Sequence, residues 1–240
     1  KKVLGIDVGT ASIKIVELSS RWKYKKLKNY GELNSSFIKN EDKNASNNAI
    51  ALAIGTILNE AKIKTKTVIF SIPDFLTFYT SFKIPQMTPE EIPGAIYYNA
   101  AQYITLPSSE VTLDWQVMQN APGDKSSSLK VFVVAIPNQV VKNYQMIAKL
   151  AGLDLFALEP EAFSMTRALI KNNPITKASK KTVCLLDIGA KTSTISMVSD
   201  GYLQMSYSFN FNSQELSKSL SLALKVDYTK HVQPKRYSRQ

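Results

Sequence analysis

The sequence predicts an α/β protein made of two related halves, with a smaller α+β unit inserted into the first. Three observations carry this. A turn near the start, in "LGIDVGTASIKIVEL", is repeated far along the chain in "LLDIGAKTSTISMV". Each copy heads a set of three short strand-like runs, and the first set leads on to a helix and a fourth strand. Between Phe75 and Pro137 the pattern changes to strand, helix and hairpin.

Taken in order, "VLGIDVG", "SIKIVEL" and "YKKLKNYGELN" read as an antiparallel meander. After a polar stretch, "AIALAIGTILNEAKI" sets Ile50, Leu52, Ala53, Ile54, Ile57 and Leu58 on one helical face, with a serine or asparagine available as cap. "TVIFSIP" is a buried strand closed by Pro73. Strand, strand, strand, helix, strand is the order of a ribonuclease-H-like half-domain. "FLTFYTSFKIP" alternates as a strand. Thr88, Pro89 and Glu91 then signal a helix start with a capping box, which Pro93 kinks or delays. The strands "VTLDWQVM" and "LKVFVVAIP" flank the disorder-prone loop "QNAPGDKSSS". Asn138 is placed to cap a helix with Val141, Tyr144, Ile147 and Ala148 on its apolar face and Gly152 as a left-handed stop. "LDLFALEP" reads as a strand and "EAFSMTRALI" as a helix. Residues 1–74 and 138–172 form the first half, 75–137 the inserted unit, 173–179 a linker, and 180–240 the start of an incomplete second half with turns at Gly189-Ala190 and Asp200-Gly201.

Composition narrows the chemistry. A single cysteine, Cys184, lies in an apolar run and reads as buried, and it excludes an internal disulfide. A single histidine, His231, in a polar tail leaves no Ser-His-Asp triad or histidine-rich zinc site. Carboxylates, hydroxyls and lysines remain to do any chemistry. The net charge of +11 favours anionic partners. Much of it sits in two clusters, Arg21 to Lys28 and Lys230 to Arg239, without the aromatic pattern of an RNA-binding surface, so no nucleic acid is expected. No apolar run approaches the length of a membrane helix.

The repeated turn has a chemical use. An aspartate, a spacer and a glycine between two strands make a tight hairpin whose backbone N–H groups form an anion nest. Hydroxyls from Thr10 and Ser12, or Thr192 and Ser193, add donors, and Asp7 or Asp187 can hold Mg2+ through water. Two such turns facing one another would grip a polyphosphate.

These residues resemble the actin-like ATPase superfamily, with "GIDVGTASIK" and "LLDIGAKTSTI" as its two phosphate loops. "TPEEI", "AAQYITLPSSEVTLDWQVM" and "AIPNQVVKNYQMIAKLAGLDLFALEPEAFSMTRAL" extend the likeness to the branch that holds the FtsA and PilM families, and PilM of type IV pilus assembly is the nearer. The resemblance implies ATP and Mg2+ as ligands. Asp7, Gly9, Thr10, Ala11, Ser12 and Lys14 would surround the phosphates from one side, and Asp187, Gly189, Lys191, Thr192 and Ser193 would close from the other. Asp7 and Asp187 would face the metal. Glu159 matches the glutamate before proline that orients attacking water in relatives, and Glu161 is the alternative. Asn212-Ser213 stands where relatives carry a glycine pair, and the resemblance places a helical subdomain and an adenosine loop beyond Gln240, so the chain reads as C-terminally truncated.

The function so implied is a cytoplasmic, ATP-binding scaffold with at most weak ATPase activity, held at the inner face of the inner membrane. Its expected partner is the short cytoplasmic segment of a bitopic PilN-like inner-membrane protein, with pilus motor or platform components besides. The alternative is an FtsA-like division protein, which would end in an amphipathic helix; "HVQPKRYSRQ" is not one, and in a truncated chain that helix would lie beyond it. The less favoured alternative is a sugar or acetate kinase, which would need a catalytic aspartate in a suitable Gly-Asp context before the linker, and no suitable one is seen.

Overall fold

A computed structural model describes residues 2–21, 24–34, 43–118, 128–171, 182–199 and 202–225. The amino-terminal meander forms as expected: β1 (Lys2–Val8), β2 (Ser12–Arg21) and β3 (Tyr24–Asn34) pair antiparallel in turn. Helix α1 (Lys43–Glu60) crosses over to β4 (Thr67–Ile72), which lies parallel to β1. After the insertion, α3 (Asn138–Leu150) crosses to β8 (Asp154–Pro160), parallel to β4. The result is a five-stranded sheet in the order β3-β2-β1-β4-β8. Apolar alternation drives it. Leu4, Ile6, Ile13, Ile15, Val68, Phe70 and Ile72 are fully or almost fully buried and share one core with Ile54, Ile57, Tyr144 and Ile147 of the two helices.

The inserted unit is β5 (Phe78–Pro85), α2 (Ile92–Ala100), β6 (Val111–Met118) and β7 (Ser128–Pro137), with its sheet ordered β5-β7-β6. It has its own core of Ile84, Ile96, Ala100, Val131, Val133 and Ala135. The second half begins with β9 (Val183–Ile188), β10 (Ser193–Ser199) and β11 (Tyr202–Phe209), an antiparallel meander like the first, and α5 (Ser213–Leu224). Helix α4 (Glu161–Thr166) follows β8 directly and widens into a π-helical turn over Arg167–Lys171.

Four local expectations are corrected. Leu52 lies on the solvent side of α1, because Ala51, Ile54 and Leu58 set the inward stripe. Glu91 does reach back to Thr88, accepting from its N–H (2.9 Å) and hydroxyl (3.1 Å), but it closes a single turn. The helix proper starts at Ile92, because Pro93 fits only the first helical positions. Asn138 does not cap α3. Since β7 runs into that helix without a loop, the Asn138 side chain turns sideways, accepting from the Thr112 hydroxyl and donating to the Ser109 carbonyl, both at 2.8 Å. Cys184 is exposed, because strand alternation gives the covered face to its neighbour Leu185. Gly152 takes the left-handed stop (φ +64°). The loop 119–127, the linker 173–179, the Asp200-Gly201 turn and the tail lie outside the described residues.

Candidate phosphate cleft and peptide groove

The two repeated turns fold alike. In the first, the Gly9 N–H donates to the Ser12 carbonyl (3.0 Å), and in the second the Gly189 N–H donates to the Thr192 carbonyl (3.0 Å). Each glycine is required by the same close approach. A Cβ would stand 2.9 Å from the Ser12 oxygen at Gly9 and 2.6 Å from the Thr192 oxygen at Gly189. Register agrees as well: Asp7 pairs with Lys14 across β1 and β2, and Asp187 with Thr194 across β9 and β10.

A cleft of about 270 Å³ lies between the turns. Asp7, Gly9, Thr10, Ala11, Ser12 and Lys14 line one side, Asp187, Gly189 and Thr192 the other, and Glu161 stands at the edge between them. Parallel pairing explains the gathering of acids. β1, β4 and β8 end at one edge of the sheet, and each is followed by or ends in an acid: Asp7, Asp74 and Glu161. Lys191 and Ser193 do not line the cleft; Lys191 is exposed, and Ser193 points inward from β10 with its hydroxyl buried and without a partner among the described residues. Glu159 does not line it either. Its carboxylate is held bidentate by Arg167, and both residues line a separate groove.

The electrostatics are those of an anionic site with one cation beside it. Burial pushes the Asp7 carboxyl up, repulsion from Asp187 adds to this, and Lys14 at 3.7 Å pulls the other way. The Asp7 Oδ1 atom is buried without a partner among the described residues. Glu161 is pushed up to about 7, first by burial and then by repulsion from Asp7 and Asp74. Asp74, also raised by burial, accepts from the Tyr79 hydroxyl and from the Ala162 N–H (3.2 Å).

Between the first half and the inserted unit runs a groove of about 1020 Å³. Its walls are consecutive residues of the end strand β8, from Leu155 to Pro160, with Trp115 and Phe132 of the inserted sheet and Phe163 of α4. Phe156 is 66% exposed there, a large apolar surface on the groove wall.

A family model for the type IV pilus assembly protein PilM matches residues 5–235. The chain belongs to the PilM family. Solved structures share its fold. The PilM-PilN type IV pilus biogenesis complex matches with a TM-score of 0.80 at 20% identity, covering 95% of this chain and 67% of that one. The cytoplasmic domain of EpsL, an inner membrane component of the type II secretion system of Vibrio cholerae, matches at 0.57 with 13% identity, covering 98% and 79%. The ethanolamine utilization protein EutJ from Carboxydothermus hydrogenoformans follows at 0.53 and 14%, covering 96% and 59%. The fold of this PilM-family chain is thus the actin-like ATPase fold, and the sheet orders above are its local expression.

Motif reading found the acids of the two turns but missed Asp74 and Tyr79. Only the parallel pairing of β4 with β1 and β8 brings Asp74 to the edge of the cleft. The available signal was an acid directly after the "SIP" strand end, the same placement that Glu161 has after β8.

Proposed function

We propose that this PilM-family chain is a scaffold of type IV pilus assembly. In this reading it binds ATP with Mg2+ between the two turns and takes the cytoplasmic segment of a PilN-like inner-membrane protein into the groove beside the inserted unit. One observation supports it above the others: a doubled anion turn and an apolar groove flank one turn of chain, the start of α4, which gives Glu161 to the first and Phe163 to the second. The partner itself comes from the resemblance to the PilM-PilN complex.

The residues fit a polyphosphate only together with a divalent cation. Asp7, Asp187 and Glu161 face the cleft with Lys14 as the cation beside them, so a bare polyphosphate would meet net repulsion. Bound Mg2+ would supply the neutralisation, with Asp7 and Asp187 as its holders, through water as this ion prefers. The turns at Gly9 and Gly189 would cradle the phosphates, and Lys14 would shift from Asp7 toward them. Glu161 is the better placed of the two candidate glutamates for orienting a water, since Glu159 is occupied by Arg167 outside the cleft. Turnover is expected to be slow or absent. A place at the inner face of the inner membrane would come through that partner; no helix among the described residues is long and apolar enough to cross a membrane.

Two titrations test this. A fluorescent ATP analogue with Mg2+ should bind wild type and lose at least tenfold in affinity with Asp7→Ala or Asp187→Ala; equal binding by all three removes the cleft from the account. A labelled peptide of the PilN-like cytoplasmic segment should bind wild type and weaken with Phe156→Asp, and indifference to that change removes the groove.

A further inference from the structure

The cleft and the groove are separated by a single turn of chain, the start of α4. Glu161 faces the cleft, Phe163 lines the groove, and Ala162 between them is fully buried. Three hydrogen bonds meet at Asp74, two of them to this turn and one to Tyr79. Its Oδ1 accepts from the Ala162 N–H at 3.2 Å and from the Tyr79 hydroxyl, while its own N–H donates to Glu161 Oε2 at 3.4 Å. Asp74 is 5% exposed, so none of these bonds has water as a ready substitute.

Tyr79 carries the connection onward. It belongs to β5, the first strand of the inserted unit, and its ring packs edge-on against Phe163 and tilted against Phe132, with centroids 6.2 Å away in both cases. Phe132 and Phe163 meet edge-on at 6.0 Å, and both line the groove. A ligand that displaces either ring must therefore move or brace Tyr79, and through its hydroxyl the Asp74 carboxylate. From the other side, a cation that neutralises the cleft relieves the repulsion on Glu161, which is bonded to the Asp74 amide.

We infer that Asp74 and Tyr79 are positioning residues that couple occupancy of the phosphate cleft to occupancy of the peptide groove. The inference rests on the reading of the two sites given above and adds the device that connects them. The coupling is positive, because each ligand orders the one turn that the other also needs ordered. It is carried by hydrogen bonds and ring contacts, not by closeness alone.

The test is a thermodynamic square on the whole chain. Affinity for the labelled PilN-like peptide is measured with and without saturating ATP and Mg2+, and affinity for a fluorescent ATP analogue with and without the peptide. Wild type should show the same factor in both directions, at least about fivefold. Tyr79→Phe, which keeps the ring and removes only the hydroxyl, and Asp74→Asn should each bring the factor close to one, while each ligand alone still binds within a few-fold of wild type. A factor of one in wild type that binds both ligands, or an unchanged factor in Tyr79→Phe, overturns the coupling and leaves the two sites standing. Failure of wild type to bind one of the ligands overturns the proposed function and the coupling together.

Discussion

The two meanders share one turn and differ in what stands behind it. In the first, the face carrying Leu4, Ile6, Ile13 and Ile15 is sealed by α1, and none of the four is more than 1% exposed. In the second, the corresponding face carries Cys184, Leu186 and Ile188, with Leu186 at 55% and Ile188 at 44% exposure. Its other face mixes hydroxyl pairs, Thr194 with Ser208 and Ser196 with Ser206, each at 2.9 Å, with Leu185, Val198 and Leu203, which are buried in the main core. The same hairpin thus forms over a wholly aliphatic face and over one where aliphatic residues alternate with hydroxyl pairs. What the turn needs is local: a glycine at the close approach and an extended pair to either side. Stability and function are distributed differently between the two copies.

The largest expected effect probes the core behind the first turn. Phe70→Ala, on β4 against Tyr144, should cost about 3–5 kcal/mol in urea unfolding, and Leu186→Ala on the open face within about 0.5 kcal/mol. Comparable losses would show that the second face is covered in solution. Next come the turns themselves. Gly9→Ala and Gly189→Ala should each cost about 1–3 kcal/mol and weaken binding of an ATP analogue, with the larger loss at Gly189, where the added Cβ comes closer to backbone. A tolerated alanine at one turn and not at the other would break their equivalence.

The acids gather on the first-half side of the cleft, and pH reads that asymmetry. Glu161 has an ordinary value of 4.5 and about 7 when folded, so folding favours its protonated form. The stability this confers is complete below about 4.5 and is lost as pH rises through about 7. Urea midpoints should fall across that window, and Glu161→Gln should flatten the fall. The smallest effect is expected at Ser193, which stands where the first copy has Ile13. Its buried hydroxyl has no partner among the described residues, so Ser193→Ala should raise stability by about 1 kcal/mol in thermal or urea unfolding.

Much of this was legible in the residues. Alternation in "SIKIVEL" and "YKKLKNYGELN", the glycines of both turns and the left-handed Gly152 depend on neighbours in sequence, and they fold as that local chemistry dictates. The side chains that went elsewhere answer to distant partners. Asn138 has the right chemistry for a cap but meets Thr112 and Ser109, brought to it by the insertion. Glu159 and Glu161 are two residues apart, and only the change from strand to helix at Pro160 parts them, Glu159 to the groove and Glu161 to the cleft. Asp74 carries no motif; its role comes from the parallel strands on both sides of β4.

One junction has mechanical meaning. β7 ends at Pro137 and α3 begins at Asn138, with no residue between them to bend, and the Asn138 side chain clamps the joint to β6 and to the turn before it. Strand and helix therefore make a stiff crank. A load applied to the inserted sheet arrives as torque on α3, and so on Tyr144 and Phe70 beneath it, instead of being dissipated in a slack connection.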